Sequence, residues 1–402
     1  MRLEFIIQNN YNIFGIESKI IIHLIVMIVR KQLDYALKRL FKGKAFIVFG
    51  PRQTGKTTFV EQLLAETNKN VLRLNGDDAD VRDYLAKPNL TQLTQMLAGY
   101  EILFIDEAQR ISEIGVLIKI IVDRIKSVQV IATGSSAFEL SGKLNEPLTG
   151  RKYEMLLLPF SYAELRDHSD FLTEERSLEQ RLLYGSYPEI INDLQNAEEH
   201  LKLLTDSYLY KDLFALENVG KPQLFEKIVK ALALQVGSEV NFSEIAQLIK
   251  ADYKTVERYI DLLEKAFVVF TLPAFSGNVR NEIKKGKKIY FYDTGIINAV
   301  TRNFNPLSGR NDVGALWENY LVSERKKYLQ QNLIEAETFF WRTTQQQEID
   351  YIEKTKNKLL AVEFKWNTKT KKKFPLTFTQ AYPEAETMVV SKEERAGFLF
   401  SL

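Results

Sequence analysis

The chain has 402 residues, of which 45% are hydrophobic and 26% are charged, and its formal net charge is +2. This is the composition of ordinary globular domains, and a chain of this length is expected to form two or three of them. The sequence contains no cysteine and three histidines, which excludes disulfides and thiolate chemistry and argues against a histidine-rich metal centre. A net charge so close to zero gives no indication for or against a nucleic-acid partner.

The N-terminal region contains an apolar stretch over residues 20–29, about half as long as a membrane span requires. Arg30 and Lys31 follow it, where a signal peptide would need small residues. The segment before Met27 has no helical or strand period. We therefore expect residues 1–27 to be an N-terminal extension, the functional chain to start at Met27, and the protein to be cytoplasmic without a membrane span. A peripheral apolar helix is the alternative.

From residue 28 to about 160 the pattern is that of an α/β domain. Residues 28–42 predict an amphipathic helix, and residues 56–66 predict a second helix directly after a glycine-rich turn. Short apolar runs predict buried strands at 45–49, 71–74, 102–105, 128–132 and 153–157. Strands that alternate with helices predict a parallel sheet with helices on both faces, and a nucleotide at the carboxyl ends of the strands.

A complete phosphate-binding loop, Gly-Pro-Arg-Gln-Thr-Gly-Lys-Thr, separates the first strand from its helix. Glycines let the backbone wrap closely around an anion, so that consecutive N–H groups point at the phosphates. The lysine supplies a mobile charge for the β- and γ-phosphates, and the threonine hydroxyl can ligate Mg²⁺. The predicted nucleotide-binding residues are Gly50, Pro51, Arg52, Gln53, Thr54, Gly55, Lys56, Thr57 and Thr58.

A second motif places acidic residues at the end of the strand at 102–105. Asp106 is expected to hold the Mg²⁺ of the nucleotide, and Glu107 is expected to polarise the attacking water as a general base. After the strand at 128–132, either Thr133 or Ser135 would sense the γ-phosphate, unless this segment is a plain turn. Together these residues predict that the chain hydrolyses the nucleoside triphosphate and does not only store it.

Residues 161–224 predict a helical region with a turn at 184–188, and residues 225–305 predict a winged-helix-like region. In the second region two short helices are joined by a tight turn, as in a helix-turn-helix, and two strands flank a polar stretch that is similar to a wing. These elements are predicted at 242–249, 254–266, 268–272 and 287–292, with the wing-like stretch at 277–288.

The second of these short helices would present Lys254, Thr255 and Arg258 to a DNA major groove. Helix pairs with short turns also occur in interaction domains that never contact DNA. Both alternatives stay open at this point.

Residues 306–402 contain a different arrangement of charged residues. A predicted helix at 313–328 carries Glu318, and predicted strands at 338–342, 348–351 and 359–366 come after it, the last two as a hairpin. Asp350 lies in the first arm, and Glu363 and Lys365 share one face of the second, since they are two residues apart. This pattern is one way to build a Mg²⁺ site for phosphodiester hydrolysis.

In that interpretation Glu318, Asp350 and Glu363 hold the metal, and Glu363 and Lys365 act in catalysis. Basic residues that suit a phosphate backbone lie nearby, namely Arg342, Lys365, Lys369, Lys371, Lys372 and Lys373. An ordinary half-exposed strand with a solvated lysine run is the alternative.

Several motifs in a fixed order resemble the bacterial and archaeal AAA-like ATPases with a DUF4143 C-terminal region. They are the phosphate loop, Ile-Asp-Glu-Ala-Gln, Thr-Gly-Ser-Ser-Ala, Leu-Thr-Gly-Arg, Leu-Pro-Phe-Ser-Tyr-Ala-Glu-Leu, Tyr-Gly-Ser-Tyr-Pro, Tyr-Asp-Thr-Gly, Ala-Leu-Trp-Glu-Asn and Val-Glu-Phe-Lys. The resemblance runs from about residue 28 to the C-terminus and has no counterpart for the segment before Met27.

The resemblance implies an α/β fold: a P-loop NTPase parallel sheet, then a winged-helix-like region, then a small α/β domain similar to PD-(D/E)xK nucleases. It implies ATP and Mg²⁺ as cofactors, and it places Glu318, Asp350, Glu363 and Lys365 at nuclease-type positions. It also suggests Arg151 as a γ-phosphate sensor or arginine finger, acting in its own chain or in a neighbour, with a structural salt bridge as the alternative.

These observations are compatible with three functions. The first is a DNA-associated ATPase with a metal-dependent nuclease-type C-terminal domain, acting on double-stranded DNA. The second is a nucleotide-dependent switch or scaffold that regulates a protein partner and whose C-terminal domain is not catalytic. The third is a small-molecule kinase, which would leave the later regions without a purpose. A homo-oligomer is compatible with all of them.

Overall fold

A computed structural model of the chain describes residues 27–87, 89–134, 147–206, 222–275, 286–367 and 373–400. The expectations for residues 1–26, for Ser135, for most of the wing-like stretch and for the lysines at 369, 371 and 372 fall outside these ranges.

The first unit is built on a five-stranded sheet with the order β2-β3-β4-β1-β5. All neighbouring strands run parallel. The strands are β1 (Ala45–Phe49), β2 (Val71–Asn75), β3 (Ile102–Asp106), β4 (Gln129–Gly134) and β5 (Lys152–Leu156), and the helices are α1 (Leu33–Leu37), α2 (Lys56–Ala65), α3 (Ala79–Leu85), α4 (Leu90–Met96) and α5 (Ile114–Arg124). The predicted strands and the predicted parallel sheet are confirmed.

Both faces of this sheet are covered, as side chains alternate along each strand. In β1, Phe46 and Val48 pack in one hydrophobic cluster with Phe59 of α2. Ala45 and Ile47 belong to a second cluster, with residues of α5. The nucleotide loop therefore leaves β1 from the centre of a buried sheet, which gives it a rigid base.

The first helix is shorter than the predicted span of 28–42. Residues 28–30 are not helical, and the side chain of Arg30 is buried, with its guanidinium donating to the backbone carbonyls of Thr54 and Leu158. At the other end, Phe41 has a φ of +59° and Gly43 a φ of +70°, which are incompatible with a continuing right-handed helix. Tertiary contacts thus override the local helical pattern.

Residues 162–204 form the predicted run of short helices: α6 (Tyr162–His168), α7 (Phe171–Arg176), α8 (Leu178–Tyr184), α9 (Pro188–Asn192) and α10 (Ala197–Leu204). The next segment contains α11 (Pro222–Leu234), α12 (Phe242–Ile249), α13 (Tyr253–Lys265) and α14 (Thr294–Thr301). It also holds an antiparallel sheet of order β6-β8-β7, made from β6 (Glu239–Val240), β7 (Val269–Pro273) and β8 (Lys287–Phe291). The predicted helix pair and its two strands are present; their identity as a winged helix stays a prediction.

The C-terminal region begins with the long helix α15 (Val313–Gln331). A four-stranded sheet of order β12-β11-β10-β9 comes next, from β9 (Glu337–Arg342), β10 (Glu348–Lys354), β11 (Leu359–Phe364) and β12 (Glu386–Val390), together with α16 (Leu376–Ala381) and α17 (Arg395–Phe400). β10 and β11 form the predicted antiparallel hairpin, and β12 joins β11 in parallel. That this domain is nuclease-like stays a prediction.

The Tyr-Gly-Ser-Tyr-Pro and Tyr-Asp-Thr-Gly motifs meet in the middle region of the chain. Asp293 accepts hydrogen bonds from the backbone N–H groups of Ser186, at 2.7 Å, and Gly295, at 2.9 Å. Gly185 has a φ of +72°, and a Cβ there would lie 1.8 Å from Asp293 Oδ1. Burial raises the pKa of Asp293 to about 6, although Lys327 and the two N–H donors oppose the shift.

One hydrophobic cluster extends from Leu158 to Leu399 and joins the middle helices to the C-terminal domain. Trp317 and Leu321 of α15 lie in this cluster with Phe291 of β8. The side chain of Asn319 reinforces the junction, since it accepts from the N–H of Phe291 and donates to its carbonyl. No helix in the described part of the chain is long and apolar enough to cross a membrane.

Candidate nucleotide-binding site and C-terminal acidic cluster

The phosphate loop begins directly after β1 and needs glycine at both of its glycine positions. Gly50 has a φ of +150°, and a Cβ there would lie 2.1 Å from the carbonyl oxygen of Leu157. Gly55 has a φ of +81° and is the N-cap of α2. The loop therefore ends at a helix N-terminus, where free N–H groups and the helix dipole favour a phosphate.

Lys56 is buried and lies inside the curve of the loop. Its ammonium donates to the carbonyl of Pro51 at 2.7 Å and to that of Gly50 at 3.2 Å. Burial lowers the pKa of Lys56 to about 8, although the carboxylates of Glu107 and Asp106 favour the charged form. The lysine is thus a cation held close to its loop without a direct carboxylate partner among the described contacts.

The other loop residues divide between framework and exposed positions. Thr54 is buried, and its hydroxyl donates to the Pro51 carbonyl at 2.9 Å, which closes the loop on itself. Gln53, Thr57 and Thr58 are exposed, and Arg52 is partly exposed.

Thr57, in the first turn of α2, and Asp106, the last residue of β3, are brought together at the carboxyl ends of the strands. The Thr57 hydroxyl donates to Asp106 Oδ2 at 2.9 Å. On its other oxygen, Asp106 accepts from the Thr133 hydroxyl and, at 3.2 Å, from the N–H of Glu107. Hydroxyl and carboxylate oxygens at the end of a phosphate loop are ligands that Mg²⁺ prefers, so this site fits a magnesium nucleotide.

Glu107 has a φ of +47° directly after β3. Its Oε2 accepts a hydrogen bond from the Gln109 side chain at 2.5 Å, and its N–H lies 3.2 Å from the Thr133 hydroxyl. A left-handed conformation at a residue with a side chain is a strained position of the kind found at functional sites. Here it separates the side chain of Glu107 from that of Asp106, so each carboxylate has its own hydrogen-bond partners.

Arg30 is a site residue that the sequence did not reveal. Its guanidinium donates to the Thr54 carbonyl in the loop, contacts Glu164 Oε2 at 3.3 Å, and lies over the Phe160 ring with 4.0 Å to the ring centre. Glu164 in turn forms a capping box with Ser161 at the start of α6. Arg30 comes after an apolar run without any motif, so no sequence signal marked it.

Arg151 lies at the amino ends of the strands, whereas the phosphate loop lies at their carboxyl ends. Its carbonyl accepts from the N–H of Ala45, the first residue of β1, whereas the loop starts after Phe49, the last. At about 3.3 Å per strand residue, the two ends of β1 are ~15 Å apart. Its Nε donates to Asp123 at 2.7 Å. The prediction that Arg151 senses the γ-phosphate in its own chain is therefore wrong; a role across a subunit interface stays a prediction.

The nuclease-type residues of the C-terminal domain also come together. Lys365 Nζ lies 3.1 Å from Glu363 and 3.7 Å from Asp350. Asp350 Oδ2 accepts the N–H of Phe364 at 2.8 Å. Burial lowers the pKa of Lys365, but the negative charges of Asp350, Glu363 and Glu318 raise it above the usual value overall. All four predicted residues therefore belong to one acidic cluster.

Lys288 is a second cation in this cluster, and the sequence placed it only at the end of a wing-like stretch. It lies in β8 with 1% of its side chain exposed, and its ammonium contacts Glu318 at 3.0 Å and Glu348 at 2.6 Å. The Tyr290 hydroxyl donates to the same oxygen of Glu318 at 2.6 Å. Burial raises the pKa of Glu318 to about 7, with Lys288 opposing the shift and Asp350 adding to it.

The arrangement around Lys288 does not fit a resident divalent cation. Mg²⁺ needs several oxygen ligands at about 2.1 Å from one point. Among the described residues, no three carboxylate or imidazole side chains converge closely enough to hold a metal ion. The carboxylates instead have ammonium, hydroxyl or N–H partners.

Three family models match separate parts of the chain. Residues 42–166 match the model of a family described as an AAA domain. Residues 313–399 match that of a domain of unknown function, DUF4143. The chain is thus similar to an AAA domain near its N-terminus and to DUF4143 at its C-terminus. Between the AAA domain and the DUF4143 region, residues 175–307 match a further domain of unknown function, DUF8612.

Three relatives that match most of the chain are described as uncharacterized proteins. One from Mycobacterium tuberculosis and one from Mycobacterium bovis are each 27% identical to this chain over 338 residues, covering 82% of this chain and 72% of the relative. A protein from Haemophilus influenzae is 25% identical over 280 residues, covering 64% of this chain and 69% of the relative.

Among solved structures, the Walker-type ATPase PABY2304 of Pyrococcus abyssi aligns with a TM-score of 0.49 and 16% identity, covering 68% of this chain and 96% of that chain. Bacteroides Pif1 bound to single-stranded DNA aligns with a TM-score of 0.25 and 16% identity, covering 39% of this chain and 50% of that chain. Similarities of this size carry no argument about what the AAA domain or the DUF4143 region does.

Proposed function

We propose that the chain binds and hydrolyses ATP with Mg²⁺ at the loop of its AAA domain. The observation that carries this proposal is the contact between Thr57 and Asp106, 2.9 Å apart and next to Lys56. Lys56 would hold the β- and γ-phosphates, and Thr57 and Asp106 would hold Mg²⁺, which neutralises charge on the phosphates. Glu107 would orient and deprotonate the attacking water as general base.

A hydrolysis assay with Glu107→Gln tests this proposal. The variant should bind a fluorescent ATP analogue as the unchanged chain does, yet lose turnover by roughly 10²-fold or more, since a positioned general base contributes about that much. Glu113→Gln, a carboxylate at the N-cap of α5, is the matched control and should turn over normally. Equal turnover in Glu107→Gln and Glu113→Gln would remove Glu107 from the mechanism, and normal binding by Lys56→Ala would refute the loop as the nucleotide site.

DNA association remains part of the proposal through α13. Lys254 and Arg258 are exposed on this helix, but Glu257 and Asp261 are exposed there as well. Because positive and negative side chains are exposed on the same helix, α13 supports at most weak binding to DNA phosphates. Duplex binding that falls with salt and is weakened by Lys254→Ala and Arg258→Ala, but not by Glu257→Ala, would support it; binding that is absent or insensitive to salt would exclude it.

Nuclease activity of the acidic cluster is the finer prediction for the DUF4143 region. The convergence of Glu318, Asp350, Glu363 and Lys365 supports it, and the ion pairs of Lys288 oppose it. Incubation with plasmid and linear DNA in Mg²⁺ or Mn²⁺ decides. Cleavage that disappears in Asp350→Ala would establish a nuclease, whereas no cleavage by a chain that hydrolyses ATP would leave the switch as the function.

Contacts of α15 support the second function, a nucleotide-dependent switch that regulates a protein partner. Gln330 donates to the Leu156 carbonyl at the end of β5 at 2.6 Å, and Gln331 accepts from Ser161 at 2.9 Å. Ser161 caps α6 together with Glu164, which contacts Arg30 beside the loop. Packed elements of this kind can transmit a change at the nucleotide to the DUF4143 region. Hydrogen exchange in α15 that differs between ATP-bound and free Glu107→Gln would support the switch; identical exchange would count against it.

A further inference from the structure

We propose that the Lys288 ammonium takes the place of a divalent cation in the acidic cluster, so that the DUF4143 region holds its carboxylates together without a bound metal. This goes beyond the ATPase proposal and does not depend on it. It also argues against metal-dependent nuclease activity, because Lys288 of this chain would occupy the position of the metal ion.

The first support is position. Lys288 reaches the cluster from β8, outside the helix and strands that carry the nuclease-type residues, and its ammonium bridges α15 and β10. It contacts Glu318 at 3.0 Å and Glu348 at 2.6 Å, with 1% of its side chain exposed. A cation that bridges two carboxylates from separate elements is in the position that a metal ion would otherwise take.

The second support is charge. Glu318, Asp350 and Glu363 are 15%, 13% and 0% exposed. Buried carboxylates of this kind cannot all stay ionised side by side without cations. Lys288 and Lys365 supply two positive charges from within the chain. A divalent ion added beside Lys288 would repel a lysine that has little access to water, and displacing that lysine would leave a buried, unpaired ammonium, a strongly unfavourable arrangement.

The third support is the surrounding packing, which fixes Lys288 in this orientation. Its ammonium lies 5.5 Å from the centre of the Phe340 ring, and Tyr290, two residues further along the same face of β8, donates to Glu318. Gly237 also packs against Glu318, since a Cβ there would lie 3.3 Å from its carboxylate. Little room is left for the water molecules that Mg²⁺ usually retains.

Mn²⁺ binding to the full chain, measured by the loss of the free-ion electron paramagnetic resonance signal, tests the proposal. Asp106→Asn is included in every protein, so that the nucleotide site does not contribute. This parent should bind no Mn²⁺ at millimolar concentration, and Mn²⁺ should not shift its melting temperature. Lys288→Met in the same background should gain one Mn²⁺ per chain, together with a higher melting temperature in Mn²⁺, and Glu318→Gln should abolish both gains.

Lys288→Arg is the matched control, because it keeps the positive charge and should gain no Mn²⁺. If Lys288→Met does not fold, Lys288→Gln replaces it. Two outcomes overturn the proposal. One is Mn²⁺ binding by the Asp106→Asn parent that is lost on Glu318→Gln or Asp350→Asn. The other is a folded Lys288→Met or Lys288→Gln protein that binds no Mn²⁺, because the lysine would then not be what excludes the metal.

Discussion

Thr57, in the first turn of α2, donates a hydrogen bond to Asp106 Oδ2, at the end of β3, at 2.9 Å. Two residues 49 positions apart thereby form one oxygen-rich site beside Lys56. Thr57→Val removes the hydroxyl and should lower Mg²⁺-dependent ATP turnover at least ~10-fold, the scale seen when support for a metal site is lost.

Thr57→Ser keeps the hydroxyl and is the control for this experiment, with turnover measured against Mg²⁺ concentration. We expect Thr57→Ser to retain the Mg²⁺ dependence of the unchanged chain. A Thr57→Val protein with the same Mg²⁺ dependence would show that the hydroxyl is not a ligand.

Lys56 should make nucleotide binding sensitive to alkaline pH. Burial lowers its pKa to about 8 in the free chain. Below that pH the free lysine is already charged, so affinity should be flat. Above it, binding must first return a proton to the amine, so Kd should rise by about tenfold per pH unit. A titration with a fluorescent ATP analogue between about pH 7 and 9.5 measures this.

Lys56→Met provides the comparison, because it cannot titrate. Its weaker binding should be independent of pH over the same range. A flat profile for the unchanged chain would mean that Lys56 keeps its proton throughout, contrary to the effect of its burial.

Gly185→Ala should destabilise the middle region of the chain, where Gly185 lies against Asp293. The new Cβ would overlap Asp293 Oδ1, at 1.8 Å, and would force the carboxylate away from the N–H groups of Ser186 and Gly295. Gly185 has a φ of +72° and a ψ of −153°, a backbone region almost confined to glycine that costs a residue with a Cβ about 1–3 kcal/mol, and overpacking adds about 1–3 kcal/mol. Gly99→Ala is the reference for a positive φ without crowding, since Gly99 has a φ of +84° with open space around it.

Denaturant unfolding measures both glycine variants. Gly185→Ala should lower the free energy of unfolding by roughly 2 kcal/mol more than Gly99→Ala does. Equal losses would mean that the contact between Gly185 and Asp293 adjusts without cost.

Arg325 and Glu353 form a buried ion pair in the C-terminal domain. Both oxygens of Glu353 accept from the Arg325 guanidinium at 2.7 Å, and the side chains are 1% and 5% exposed. Arg325→Met should cost about 3–5 kcal/mol, because it leaves a buried carboxylate without its partner. In the exposed pair of Lys354 and Glu337, Lys354→Met should cost under about 1 kcal/mol.

Thermal and denaturant unfolding of these two variants give the comparison. Replacing both Arg325 and Glu353 by Met should recover part of the loss, since the orphaned charge is then removed as well. If Arg325→Met and Lys354→Met lower the free energy of unfolding by similar small amounts, burial does not make the loss of an ion-pair partner more costly.

Local pattern and strand order were enough to predict the first sheet and the meeting of its site residues. Apolar runs indicated the strands, and the carboxyl ends of parallel strands lie at the same end of a sheet, which is why Thr57 and Asp106 were both expected to bind the Mg²⁺ of the nucleotide. The pattern could not indicate contacts made by single residues far apart in the chain. Arg30 and Lys288 carry no motif, and each contributes through one buried side chain that reaches another element.

Two expectations failed for identifiable reasons. Its motif predicted that Arg151 lies near the nucleotide. The structure instead places Arg151 just before β5, at the end of the sheet far from the loop, where it pairs with Asp123. The helix expected over 28–42 spans only Leu33–Leu37, because the Arg30 side chain is buried and donates to the Thr54 carbonyl of the phosphate loop. The four C-terminal residues did meet, yet the sequence did not indicate that Lys288 would join them.

The continuous core from Leu158 to Leu399 has a consequence for how such chains can be divided. A fragment that begins at residue 313 would leave Trp317 and Leu321 facing water where β8 and the middle helices now pack. The last two family regions therefore share one interior and would be inherited and lost together. Recombination between relatives should therefore fail near residue 310, inside this shared core.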